Sequence, residues 1–105
     1  GLTSYRWLTE QHNFNPNQIA LAGDSAGGNL ALGMMLSLRK NHQPLPACAL
    51  LMSPLTDLER KGRSLQTKAN VDPIVSPELL NMVANFYLPE GNFLNPIVSP
   101  IHADL

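Results

Sequence analysis

A chain of 105 residues has the size of one ordinary domain, and its net charge of −1 gives neither nucleic acid nor an anionic membrane anything to hold. Hydrophobic residues make up 44% and charged residues only 14%, against a usual charged share of ~25%; that balance suits a piece of a larger protein's interior. Cys48 stands alone, which excludes an internal disulfide, and no apolar run reaches the ~20 residues of a membrane span, so a cytoplasmic protein without a membrane span is expected.

Thr3 or Ser4 can cap a first helix running to about His12, with Leu2, Tyr5 and Leu8 on its apolar stripe and Arg6, Thr9 and Glu10 facing away. Asn13 to Asn17 reads as a turn, because Asn tolerates left-handed geometry and Pro16 stops a helix. Gln18 to Ala22 is a short apolar run ending at Gly23, the length of a strand buried on both faces. From Ala26 to about Lys40 the pattern is helical and leaves almost no polar face, so this helix is expected to be largely buried. Arg39 and Lys40 suit the negative end of its dipole, and Pro44 and Pro46 forbid continuation. Ala47 to Met52 is a second apolar strand, with Cys48 expected in the core. Strand, helix, strand is one βαβ unit, and its two strands are predicted to be parallel.

After Pro54 the character changes. Asp57 to Arg63 holds five charges in seven residues, and six of the nine prolines lie from Pro54 onward. Glu78 to Leu88 has the apolar spacing of a short helix, and the rest reads as loop. The string PIVSP occurs at Pro73 to Pro77 and again at Pro96 to Pro100, which reads as two turn-like segments and not a structural repeat. Two apolar parallel strands need neighbours and helices on both faces, so the chain is expected to hold part of an α/β fold. Residues 18–53 form the βαβ unit and 54–105 a loop-rich excursion bordering a pocket or lid.

Between the first strand and the second helix stands "GDSAG", which fits G-x-S-x-G in the strand-to-helix setting of a nucleophile elbow. The serine backbone adopts a strained turn that projects its hydroxyl, and the residues two before and two after are pressed together. Gly23 and Gly27 occupy those positions, with Ala26 and Gly28 keeping the crossing tight. The helix then starts beneath Ser25, and the Ala26 amide is the natural first donor to an oxyanion formed there. A dinucleotide-binding turn lacks its G-x-G-x-x-G here and a phosphate-binding loop its G-K-[ST]; trypsin-like proteases share a similar string but are all-β. A nucleotide-type turn and a purely structural turn remain as alternatives.

A serine nucleophile needs a base, usually His, oriented by a carboxylate. His42 lies past the far end of the helix, ~20 Å away at 1.5 Å per residue, and His12 precedes the strand at the wrong edge of the sheet. Both are expected in solvent-facing loops. His102, in a terminal loop, has no evident partner. Asp24 points away from Ser25 by strand parity, and Asp57, Asp72 and Asp104 read as turn, cap or solvated residues. The base is not apparent in these residues.

The segments YRWLTEQ, IALAGDSAGGNLAL, LLMSPLTDL, DPIVSPELL and SPIHADL resemble the hormone-sensitive lipase-like esterases of the α/β-hydrolase superfamily over nearly the whole chain. The resemblance implies hydrolysis of carboxylic esters, commonly with short or medium acyl chains, and no metal or organic cofactor. Ser25 would be the nucleophile and the Ala26 amide one oxyanion donor, on an elbow built by Gly23, Gly27 and Gly28. The family's H-G-G-G segment lies upstream of the residues matched here, and its acid and His follow downstream. The isolated 105 residues are therefore expected to show no Ser25-dependent turnover. Two alternatives accompany this reading: a receptor-like relative that binds a small molecule without catalysis, and a truncated product with no role of its own.

Overall fold

The computed structural model describes residues 1–89 and 91–104; Glu90 and Leu105, the last residue of the SPIHADL segment, lie outside the described residues. In chain order the elements are helix α1 (Leu2–Arg6), strand β1 (Ala20–Asp24), helix α2 (Ala26–Lys40), strand β2 (Cys48–Met52) and helices α3 (Arg63–Thr67) and α4 (Pro77–Tyr87). Single turns of 3₁₀ helix cover Pro16–Gln18 and Pro100–His102. β1 and β2 pair in parallel, from Ala20 opposite Cys48 to Asp24 opposite Met52, with α2 as the crossover. The expected βαβ unit is present.

α2 runs from Ala26 to Lys40, the bounds expected from its sequence. It ends in a left-handed cap at His42 (φ 51°), whose amide donates to the Arg39 carbonyl while Gln43 donates to that of Leu38. Histidine here does the work usually left to glycine. The first helix differs from expectation. Thr3 and Ser4 lie inside it, Gly1 holds the cap position, and beyond Arg6 the chain widens into a π-helical turn over Trp7–Gln11. The Thr9 hydroxyl donates back to the Tyr5 and Arg6 carbonyls, a competition known to loosen helices. β1 starts two residues later than expected. Asn15 and Gln18 form a reciprocal cap around the Pro16 turn and draw Gln18 out of the strand. Asn13 adopts the left-handed conformation anticipated for the turn before it, at φ 55°.

Cys48 corrects an expectation. Register places Leu21, Ala49 and Leu51 on the α2 side of the strand pair, so Cys48, Leu50 and Met52 take the opposite face. That face is uncovered among the described residues: Cys48 is exposed and Leu50 is 64% exposed. α2 is likewise covered on one side only. Ala31, Met34 and Leu38 are buried, while Leu30 is exposed.

Among the described residues, two apolar clusters hold the chain together. The first packs Tyr5, Met34 and Leu38 with Leu2, Ile19 and Leu21, and the Tyr5 hydroxyl donates to the Pro44 carbonyl at 3.0 Å. Burial raises the Tyr5 phenol above its ordinary pKa. Leu38, 1% exposed, anchors this cluster. Leu38→Ala is expected to cost about 2–5 kcal/mol, read as a lower denaturant midpoint at unchanged slope. The second cluster joins Leu58, Ala84 and Val98 with Leu55, Leu88 and Phe93, so α4 and the C-terminal turns fold over the exit of β2.

The two PIVSP strings share a local shape but not a partner. Asp72 accepts the amides of Ile74 and Val75, and Asn95 that of Ile97, so each string opens on a side-chain-capped turn and leads into a helix at its second proline. The Val75 and Ile74 amides hold the Asp72 carboxyl below its ordinary pKa. Ser76 then caps α4 through Leu79, whereas buried Ser99 accepts the Leu58 amide instead.

Candidate active site

A single residue links β1 to α2. Gly23 and Asp24 end the strand, Ser25 turns the chain, and Ala26 begins the helix. Ser25 sits at φ 52° and ψ −113°, a region that residues with a side chain rarely occupy. The turn is held by backbone alone. The Ser25 N–H donates to the Met52 carbonyl at 2.9 Å, and the Ser25 carbonyl accepts the amides of Asn29 and Leu55, each at 3.1 Å. A serine at a helix start ordinarily folds its hydroxyl onto the first amides. Here it makes no such cap, so the exposed Ser25 hydroxyl is left for other work.

Close approach is one-sided. A Cβ built on Gly23 would stand 2.2 Å from the Gly27 carbonyl oxygen and 2.6 Å from the Gly28 nitrogen. One on Gly28 would meet the Pro54 Cβ at 2.8 Å. One on Gly27 meets no described atom within 4 Å, so contrary to the steric expectation it is the Gly27 backbone, not its missing side chain, that the crossing presses upon.

The start of α2 leaves its first amides without helical acceptors and carries the positive end of a 15-residue helix dipole. No described carbonyl accepts the Ala26 N–H. Ala26 also lines a largely apolar, partly open cavity of 210 Å³, together with Asn29 and Leu30 of α2, Leu55 and Leu58 after β2, and Val83 and Tyr87 of α4. The exposed Ser25 is thus followed directly in the chain by Ala26, which lines the apolar recess. That arrangement can admit an acyl group, attack its carbonyl carbon and stabilise the oxyanion formed.

The histidines lie elsewhere. His12 packs its ring against Trp7 with centroids 3.9 Å apart, and His42 is the helix cap described above. His102 corrects an expectation by having a partner: its Nε2 lies 3.1 Å from Glu59 Oε2. The Ile101 amide bonds the Thr56 carbonyl and Leu58 bonds Ser99, which brings the two segments together. Asp57, Glu59 and His102 place ligand atoms within 4.8 Å of one another. Their lone pairs are already engaged. Asp57 accepts the amides of Glu59, Arg60 and Lys61, and Glu59 binds the Lys61 ammonium as well as His102. The set closes a turn, and the Glu59 contact raises the Lys61 pKa. Asp24 ends β1 opposite Met52, while Asp104 receives Arg39 at its backbone carbonyl.

Two residues at the site escaped the sequence reading. Asn29, 6% exposed, donates its side-chain amide to the Leu55 and Val98 carbonyls at 2.6 and 2.8 Å. Gly33 lets the Ile97 carbonyl approach to 2.7 Å of where a Cβ would be. The signals were present: a lone amide among apolar helix positions, and a glycine inside a helix.

A family model described as the alpha/beta hydrolase fold matches residues 1–105. The chain is 38% identical over 104 residues to an acetyl-hydrolase of Streptomyces hygroscopicus, covering 99% of this chain and 34% of that protein. It is 36% identical over 91 residues to an esterase of Acinetobacter venetianus, covering 86% and 30%. Among solved structures, an esterase from the bacterial hormone-sensitive lipase family superposes with a TM-score of 0.92 at 42% identity, over 99% of this chain and 35% of that one. The chain spans about a third of the length of these relatives.

Proposed function

Because this chain belongs to the α/β-hydrolase fold family and resembles its hormone-sensitive lipase-like esterases, we propose that the protein containing it hydrolyses carboxylic esters through an acyl-enzyme on Ser25. The observation that carries this reading is the Ser25 backbone itself. A non-glycine residue held at φ 52° with its hydroxyl uncapped, at the start of a long helix, gives the fold nothing that an ordinary turn would not give at lower cost. It does present a nucleophile.

In the acylation step the Ser25 oxygen attacks the ester carbonyl and its proton passes to a histidine base. We assign that base to another histidine, because His12 stacks on Trp7, His42 caps the C-terminal end of α2 and His102 pairs with Glu59. The Ala26 N–H donates to the developing oxyanion, aided by the helix dipole. The collapse of the tetrahedral intermediate expels the alcohol, and water then cleaves the acyl-serine by the same route. Residues 18–53 supply the elbow; 54–105 border the pocket, as the cavity walls from Leu55, Leu58, Val83 and Tyr87 suggest. The substrate is a small-molecule ester, and no metal or organic cofactor enters these steps. No described helix is long and apolar enough to cross a membrane.

A fluorophosphonate ester is expected to modify the full-length protein once, within the tryptic peptide Trp7–Arg39, and to stop hydrolysis of p-nitrophenyl acetate in step with labelling. Ester hydrolysis that persists after that peptide is fully labelled would remove Ser25 from the mechanism. Absence of any ester hydrolysis would remove the activity.

A further inference from the structure

Asn29 is the one polar side chain buried within α2. Both atoms facing its side-chain nitrogen are backbone carbonyl oxygens, which only accept, so the NH₂ group must point at them and the amide has one workable orientation. Its two hydrogens are thereby both used.

These bonds close a ring. The Asn29 side chain donates to the Leu55 carbonyl, the Leu55 amide donates to the Ser25 carbonyl, and the Asn29 amide donates to that same Ser25 carbonyl. The ring ends on the peptide unit joining Ser25 to Ala26. Because that unit is planar and trans, whatever fixes its C=O also fixes its N–H, which points the opposite way. That N–H belongs to Ala26, a residue that lines the cavity. The second hydrogen, to Val98, ties the same side chain to the segment before the last 3₁₀ turn.

We propose that Asn29 is a positioning residue for ester hydrolysis: by holding Leu55 against the Ser25 carbonyl, it sets the line along which the Ala26 N–H meets the oxyanion. This rests on the ester-hydrolase reading of Ser25. Asn29 also lines the cavity, but both its side-chain hydrogens are spent on the Leu55 and Val98 carbonyls, so it acts through the peptide. Without the amide, Leu55 loses the bond that holds its carbonyl, and the Ser25–Ala26 peptide is freer to rotate.

The test compares Asn29→Leu, which keeps the size and removes the donor, with the unaltered full-length protein, using p-nitrophenyl acetate. A misdirected oxyanion donor is expected to lower kcat by about 10- to 100-fold, somewhat less than outright loss of a donor, while KM stays within about threefold. Rates are taken per active site counted by fluorophosphonate burst, so unfolded protein does not count as lost catalysis. The phosphorus-31 resonance of the Ser25 phosphoryl adduct should also move, since its oxygen reports the same amide. Should Asn29→Leu fail to fold, Asn29→Ser is judged by the same measures. An unmoved resonance with kcat per active site within twofold overturns the role of Asn29. Ser25→Ala separates the two failures: if it keeps full activity, the ester-hydrolase reading falls, and if it is inactive while Asn29→Leu is not, only the positioning role falls.

Discussion

Ser25→Gly abolishes ester hydrolysis and leaves the full-length protein more stable than Ser25→Ala does. Both substitutions remove the hydroxyl, so both should lower kcat by about 10⁴- to 10⁶-fold, the range seen when a serine nucleophile is deleted from an otherwise intact site. They part company on the backbone. At φ 52° and ψ −113° a Cβ is crowded and glycine is not. Strain of this kind costs about 1–3 kcal/mol, while the greater freedom of glycine in the unfolded chain returns about 0.4–1 kcal/mol. The balance favours Ser25→Gly by about 1 kcal/mol, measurable as a higher urea midpoint at equal slope. Three backbone bonds, to Met52, Leu55 and Asn29, keep either variant in the turned conformation. A Ser25→Gly protein less stable than Ser25→Ala would mean that no strain is stored at the elbow. The pair therefore asks whether the fold bears a cost for presenting this hydroxyl, a separate question from whether the hydroxyl reacts.

What could be read from the sequence follows the range of the forces involved. The close crossing at Gly23 and Gly28 was legible because its demand is steric and lies within a few residues, whereas the same reasoning misjudged Gly27, whose added Cβ would meet no described atom. The bounds of α2 were legible for the same reason: glycines mark its start and Pro44 limits its end. β1 was displaced by two residues because Asn15 and Gln18 cap each other, a local device hidden behind an apolar run. Cys48 was misplaced because burial on a sheet face depends on what covers that face, and an apolar strand carries no record of it. His102 and Glu59 lie 43 positions apart, and their meeting depends on the bonds of Ile101 and Ser99 to the segment after β2. Asn29 spans further still, to Val98, 69 positions away. A polar residue in an apolar helix announces that it has partners, not which ones.

The steric demand at the elbow can be tested by adding one carbon. In Gly23→Ala the new Cβ would stand 2.2 Å from the Gly27 oxygen, 2.3 Å from its carbonyl carbon and 2.6 Å from the Gly28 nitrogen. Every one of these atoms is backbone in the first turn of α2, so no side chain can swing aside. Relief requires the helix start to move off the end of β1, which breaks the Ser25 bonds to Met52 and Leu55 and turns the Ala26 amide away from the cavity. The expected result is a loss of more than about 4 kcal/mol, in the range reserved for severe core defects, together with loss of esterase activity in whatever folded protein remains. Gly28→Ala should be milder, because the opposing Pro54 Cβ at 2.8 Å belongs to a loop that can yield. Gly27→Ala meets no described atom and gains helix propensity of about 0.8–1.0 kcal/mol, so its stability should equal or exceed that of the parent. Denaturant midpoints for the three variants should rank Gly23→Ala lowest and Gly27→Ala highest. If Gly27→Ala proves as damaging as Gly23→Ala, a segment other than the described residues must close on that side of the elbow. If Gly23→Ala is tolerated, the crossing of β1 and α2 is looser than these distances require, and the strained presentation of Ser25 loses its structural basis.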